Sequence, residues 1–108
     1  MFNLFSTRTK EYEDLDGVEF KERFSKSKGA TLVDVRTLGE FKEGTIKGAK
    51  HIDFMSFNFI SDFSKLDKSK EYFLFCRSGN RSGQACNILA REGYKVYNLK
   101  RGIGDWPF

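Results

Sequence analysis

The sequence is sparing with the residues that mark elaborate architectures. It has one proline, Pro107, and no repeat, low-complexity tract or linker-like stretch, so its 108 residues are expected to form a single domain, 1–108. Histidine occurs once, at His51, which leaves no zinc signature. Cysteine occurs twice, at Cys76 and Cys86, a ten-residue separation that fits neither a C-x-x-C redox pair nor a metal-ligand pattern. No apolar run approaches a membrane span. The opening MFNLFSTRTKEYEDL lacks the basic-then-apolar order of a signal peptide. The expectation is a cytoplasmic protein with reduced thiols, no metal, no organic cofactor and no membrane partner. Neither sign of charge dominates: the net charge of +4 and pI of about 9.1 come from basic residues spread along the chain. That pattern reads as a solvated surface, and no nucleic-acid partner is expected.

What is present suffices for one core. The chain is 39% hydrophobic and 16% aromatic, with 12 phenylalanines, while 31% of it is charged. Residues 1–10 are expected to be a loosely fixed lead-in. Asp16 followed by Glu19 has capping-box spacing and predicts a helix start, with Val18, Phe20 and Phe24 near one face and Gly29 as the stop. Thr31–Val35 reads as a strand. Thr37 and Glu40 repeat the capping-box spacing before a short helix. A brief strand is predicted near Ala49–Ile52, and the Phe-rich segment from Phe54 to Leu66 has loose helical spacing. A buried strand at Tyr72–Phe75 precedes a helix from Ser82 to Glu92 with Ala85, Ile88 and Leu89 inward, stopped by Gly93. Lys95–Leu99 reads as a last strand. Alternating strands and helices predict an α/β fold around a mostly parallel sheet. Ligands of such sheets sit beyond the carboxyl ends of the strands, and Cys76 follows the strand YFLF directly.

The stretch CRSGNRS, Cys76 to Ser82, is the chemically pointed one. A cysteine attacks as the thiolate, and an ordinary thiol is mostly protonated at neutral pH. Here Ser78 and Gly79 let the backbone curl so that several N–H groups point at one centre. The helix that follows adds the partial positive charge of its N-terminus, and Arg77 and Arg81 add full charges where their side chains reach the pocket. A merely structural cysteine has no need of two arginines and a donor-rich turn. Cys86, mid-helix among apolar residues, is read as a small buried hydrophobe.

With these residues in view, the chain resembles the single-domain rhodaneses, that is, thiosulfate sulfurtransferases and rhodanese-like domains. LVDVRTLGEFKEGTIKGAKHID resembles the family's N-terminal signature, CRSGNRS its active-site loop and LKRGIGDWPF its C-terminal signature. The resemblance implies a three-layer fold, a mostly parallel sheet of about five strands with helices on both faces. It implies Cys76 as the nucleophile that carries a persulfide, held by the N–H groups of Arg77, Ser78, Gly79, Asn80, Arg81 and Ser82. Asp34 and Arg36 would support the pocket, Glu40 would partner Arg36, and Trp106 with Gly102 would close its far side.

Plainer readings stand beside these. Asp34 and Arg36 are equally a strand-end ion pair, Glu40 a helix-start residue, Trp106 core closure, and Phe54–Phe63 core. Lys42, Lys47 and Lys50 read as surface charges. Within the family, a six-residue loop from cysteine to closing arginine goes with sulfur transfer and a longer one with phosphate chemistry; Cys76 to Arg81 is six. Two positions depart from the family pattern. Thr45 stands where a histidine is usual, and His51 is assigned no catalytic role. Arg101 replaces the first of two glycines. The implied activity moves sulfane sulfur from a small donor such as thiosulfate to cyanide, a thiol or a protein acceptor, in a monomer or weak homodimer. The alternatives are a redox-sensing or regulatory binding module with an exposed low-pKa thiol and, behind it, an arsenate reductase or phosphatase.

Overall fold

The computed structural model describes residues 10–108; the expected lead-in, apart from Lys10, lies outside the described residues. The elements in chain order are β1 (Glu13–Leu15), α1 (Gly17–Lys26), β2 (Thr31–Asp34), α2 (Leu38–Glu43), β3 (Lys50–His51), α3 (Phe59–Phe63), β4 (Glu71–Phe75), α4 (Asn80–Arg91) and β5 (Lys95–Leu99). A 3-10 turn at Ile103–Asp105 follows. The strands form one sheet in the order β1-β5-β4-β2-β3, and every neighbouring pair is parallel.

A parallel sheet is covered on both faces, so its central strands are apolar at every position. β4 does this with Tyr72, Phe73, Leu74 and Phe75, all buried. Their side chains alternate between two cores. Tyr72 and Leu74 join Val33, Val35 and Val96 under α3 and α4, which contribute Phe59, Phe63, Ala85, Cys86 and Leu89. Phe73 and Phe75 join Leu32, Tyr97 and Leu99 on the other face, under Phe20 of α1, with Phe24, Ile103 and Trp106 packed against them. Edge-to-face aromatic contacts bind each core, such as Phe20 on Phe73 at 5.4 Å and Phe63 on Tyr94 at 5.1 Å between centroids.

Local signals set the helix starts. Asp16 accepts from the Glu19 N–H at 3.0 Å and caps α1. Thr37 and Glu40 form a complete capping box on α2, a six-residue helix with no buried residue of its own.

Several expectations are corrected. α1 ends at Lys26, capped by Ser27, and Gly29 lies in the turn beyond. Val18 is exposed and points away from the core that Phe20 enters, and Ile88 of α4 is likewise partly exposed. Phe59 and Phe63 are core, but Met55, Phe57 and Ile60 are exposed, so the Phe-rich segment is only half interior. β1 has no counterpart in the sequence reading.

Candidate active site

The parallel strands bring their carboxyl ends to one edge. Asp34, the last residue of β2, is in register with Phe75, the last of β4, and Leu74 is in register with Asn98 on β5. The chain leaves β4 through Cys76 and turns at once into α4. This turn is where the sequence placed the nucleophile.

Three donors converge on the sulfur. The Gly79 N–H lies 3.1 Å from Cys76 Sγ, the Ser82 N–H 3.4 Å and the Ser82 hydroxyl 3.2 Å. Burial opposes ionisation, since Cys76 is 1% exposed. The Ser82 hydroxyl and amide and the amides of Ser78 and Gly79 outweigh it, and the thiol ionises below its ordinary value. Cys86 shows the same burial without such donors: it is wholly enclosed, and desolvation drives its thiol well above the ordinary value. Two thiols ten residues apart are thus driven in opposite directions by their surroundings.

The loop holds its curl through main-chain contacts. Gly79 has φ +93° and lies so close to the Lys100 carbonyl that a Cβ would come within 2.0 Å of its oxygen. Gly102 has φ +84° and meets the Arg77 carbonyl in the same way, with only 1.9 Å available. Only glycine fits at either point. The Ile103 N–H also donates to the Cys76 carbonyl at 2.9 Å, so the C-terminal turn is sewn to the loop.

The charged residues divide differently from the expectation. Arg81 grips Glu40 with two bonds, Nη1 to Oε1 at 2.7 Å and Nη2 to Oε2 at 3.0 Å. Those bonds lead in holding the Glu40 carboxyl at about 2. Glu40 is therefore the partner of Arg81, not of Arg36. Arg36 pairs with the fully buried Asp34 through Nε and Nη2, at 3.0 and 2.7 Å to the nearer oxygens, and donates to the Gly44 carbonyl at 2.6 Å. The Thr45 hydroxyl completes that cluster with a 2.8 Å bond to Asp34 Oδ2. The ion-pair reading of Asp34 and Arg36 thus describes a buried strap below the site. Arg77 is three-quarters exposed, with Nη1 4.0 Å from Glu40 Oε2. Asn80 is exposed and accepts from Gln84 through its side chain.

Trp106 and His51 each have structural partners of their own. Trp106 packs edge-on to Phe20 at 6.1 Å in the second core, a contact that the core-closure reading describes. His51 stacks on Phe41 at 4.7 Å and bonds the Arg36 carbonyl through Nε2. A hollow of about 480 Å³ lies behind the loop beside Tyr12, Asp14, Gly79, Gln84, Asn98 and Lys100, and Cys76 does not line it. The redox-sensor alternative asks for an exposed thiol, which Cys76 is not. Sequence reasoning missed two contacts, the Ser82 hydroxyl on the sulfur and the Asn98 amide that donates to the Gly79 carbonyl at 3.1 Å. A serine three residues into a helix that begins at a nucleophile's turn is a signal for the first. Nothing local marks the second.

The chain is similar to known proteins over most of its length. The family model described as Rhodanese-like domain matches residues 17–107. A sulfurtransferase of Allochromatium vinosum is 33% identical over 94 residues, which make up 86% of each chain. The tRNA uridine(34) hydroxylase of Acinetobacter baylyi is 36% identical over 94 residues, covering 82% of this chain but 30% of that enzyme. Among solved structures, the rhodanese-like domain protein from Staphylococcus aureus superposes with a TM-score of 0.76 at 28% identity, over 87% of this chain and 90% of that one.

Proposed function

This chain belongs to the rhodanese-like domain family of sulfurtransferases, and from that premise we propose that it moves sulfane sulfur from thiosulfate, or a donor of similar chemistry, to a thiophilic acceptor through a persulfide on Cys76. The observation that carries the reading is the convergence of the Gly79 and Ser82 donors on Sγ at 3.1–3.4 Å. Such a cradle stabilises a sulfur anion as an oxyanion hole stabilises oxygen.

The reaction is a double displacement. The Cys76 thiolate attacks the outer sulfur of thiosulfate. A new S–S bond forms, the bond to the sulfonate sulfur breaks, and sulfite leaves with the electron pair. The persulfide carries its reactive atom about 2.05 Å farther out than Sγ, one disulfide bond length. That extension suits a thiol as deeply set as Cys76. An acceptor, cyanide or a thiolate, then attacks the outer sulfur and releases the Cys76 thiolate. Arg81 is gripped by Glu40 through two short bonds, while Arg77, three-quarters exposed and 4.0 Å from the same carboxylate, is the freer cation and would meet the donor's sulfonate. Each step is a displacement at sulfur in which this chain supplies the thiolate and its donors.

Exposure to thiosulfate alone is expected to add one sulfur, about 32 Da, to the intact protein in the first half of this cycle. Cys76→Ser should abolish the gain and Cys86→Ser should keep it. A wild-type mass unchanged by thiosulfate, or a gain that survives Cys76→Ser, removes the proposal.

A further inference from the structure

We propose that Asn98 is a positioning residue for the Cys76 thiolate, acting from behind the active-site loop. Asn98 is 3% exposed on β5. Its Nδ2 donates twice, to Asp14 Oδ1 at 2.8 Å and to the Gly79 carbonyl at 3.1 Å. Both partners can only accept, so the orientation of the amide is fixed by its surroundings. Asp14 is its neighbour in register on β1.

Gly79 is the hinge of the cradle. Its N–H is the closest donor to the sulfur, and its carbonyl starts α4 by accepting from the Gly83 N–H at 3.0 Å. Ser82, the other donor, lies in the first turn of that helix. A residue with positive φ and no side chain is held only by what surrounds its peptide groups. Here β5 and the residue after it supply both restraints: the Lys100 carbonyl pressed against the Cα of Gly79, and the Asn98 amide on its carbonyl. Asn98 thereby fixes the peptide plane from which the helix and its sulfur-facing amides start.

The residue also carries a stability cost. Its Oδ1 is buried without a hydrogen-bond partner among the described residues. Such an orphan is unfavourable, and an apolar side chain of the same shape would remove it. Retention of the amide here is accounted for by its hold on Gly79.

The proposal rests on Cys76 reacting as a thiolate and not on which donor supplies sulfur. Its test uses alkylation of Cys76 by iodoacetamide as a function of pH, with Cys86→Ser as the parent protein. That readout is independent of thiosulfate turnover, so failure of either reading is recognised separately. The charged and titratable groups on the elements around the loop are Arg77 and Arg81, Glu40, Asp53, the Asp34–Arg36 pair, Tyr12 and Asp14, Lys100 and Arg101, and all stay unchanged.

In Asn98→Leu the alkylation midpoint should rise by about one pH unit, the scale of a weakened hydrogen bond to an anion. The melting temperature should stay near the parent's. Asn98→Ala, which removes the amide and leaves every charge in place, should move the midpoint the same way. An unmoved midpoint in folded Asn98→Leu overturns the proposal. If that variant does not fold, Asn98→Ala decides alone, and an unmoved midpoint there overturns it equally.

Discussion

Asp34, with no exposed surface, would be expensive as a lone carboxylate. It is instead paired with the Arg36 fork and accepts from the Arg36 N–H at 3.0 Å and the Thr45 hydroxyl. Thr45 occupies the position where the resemblance leads one to expect histidine, and the structure gives its hydroxyl a definite task. Thr45→Val keeps the shape and deletes one bond to a buried anion, so it should cost about 1.5–3 kcal/mol in urea unfolding. Thr45→Ser should recover most of that, and equal midpoints for Val and Ser would refute the assignment. At this scale the sequence was readable where a side chain acts on its near neighbours. Cys76 at a strand end with its donor-rich turn followed from the residues around it, and the Thr37–Glu40 box from spacing. The partner of Glu40 did not, because Arg81 is 41 residues away and Arg36 only four. Proximity in sequence favoured the wrong arginine. Arg36 is instead drawn to Asp34, two residues back and buried, where a missing countercharge would cost most.

Among the elements, α2 is the one whose stability bears most directly on the site. It has six residues and none of them is buried, so tertiary packing does little to hold it. Its box at Thr37 must do so, and Glu40 is at once the box's third residue and the anchor of Arg81. Thr37→Ala should therefore lower stability by about 1 kcal/mol and also loosen Arg81. The expected signature is a fall in sulfur-transfer kcat/KM that Thr37→Ser does not share; a stability loss with unchanged kcat/KM would separate the two roles. The elements most legible in the sequence were those with strong periodicity or firm stops: β4, α4 and β5 were placed to within two residues. β1 was not legible because it is three residues long and presents a single buried side chain, Leu15. Only the register with β5 makes a strand of it, and no pattern within EDL could reveal that register. The same strand carries Asp14, so the part of the site that depends on β1, the Asn98 buttress, was hidden with it. Val18 and Ile88 fit their helical periods yet face outward, since neither the sheet nor another helix covers those sides.

For the molecule as a whole, ionisation ties the fold to acid. Glu40 titrates at about 2 instead of 4.5, led by its bonds to Arg81. Glu71 is also lowered, first by the Ser27 hydroxyl and then by Tyr97, and Glu13 is lowered by Arg23. A carboxyl with a depressed folded-state pKa contributes stability above its unfolded value, and that contribution is lost as pH falls toward the folded one. For Glu40 the window runs from 4.5 down to about 2. The melting temperature should fall from about pH 6 to about pH 3, and the fall should be shallower in Glu40→Gln, which has no carboxyl to protonate there. Parallel curves would show that Glu40 is not a source of the dependence.

The clamps at Gly79 and Gly102 are backbone against backbone. The outward side chains of the same turn, Arg77, Ser78 and Asn80, are absent from them. In the proposed reaction, recognition and reactivity are thus mechanically uncoupled. New chemical preferences can be written onto the rim, one outward residue at a time, while the pocket that tames the sulfur anion keeps its form.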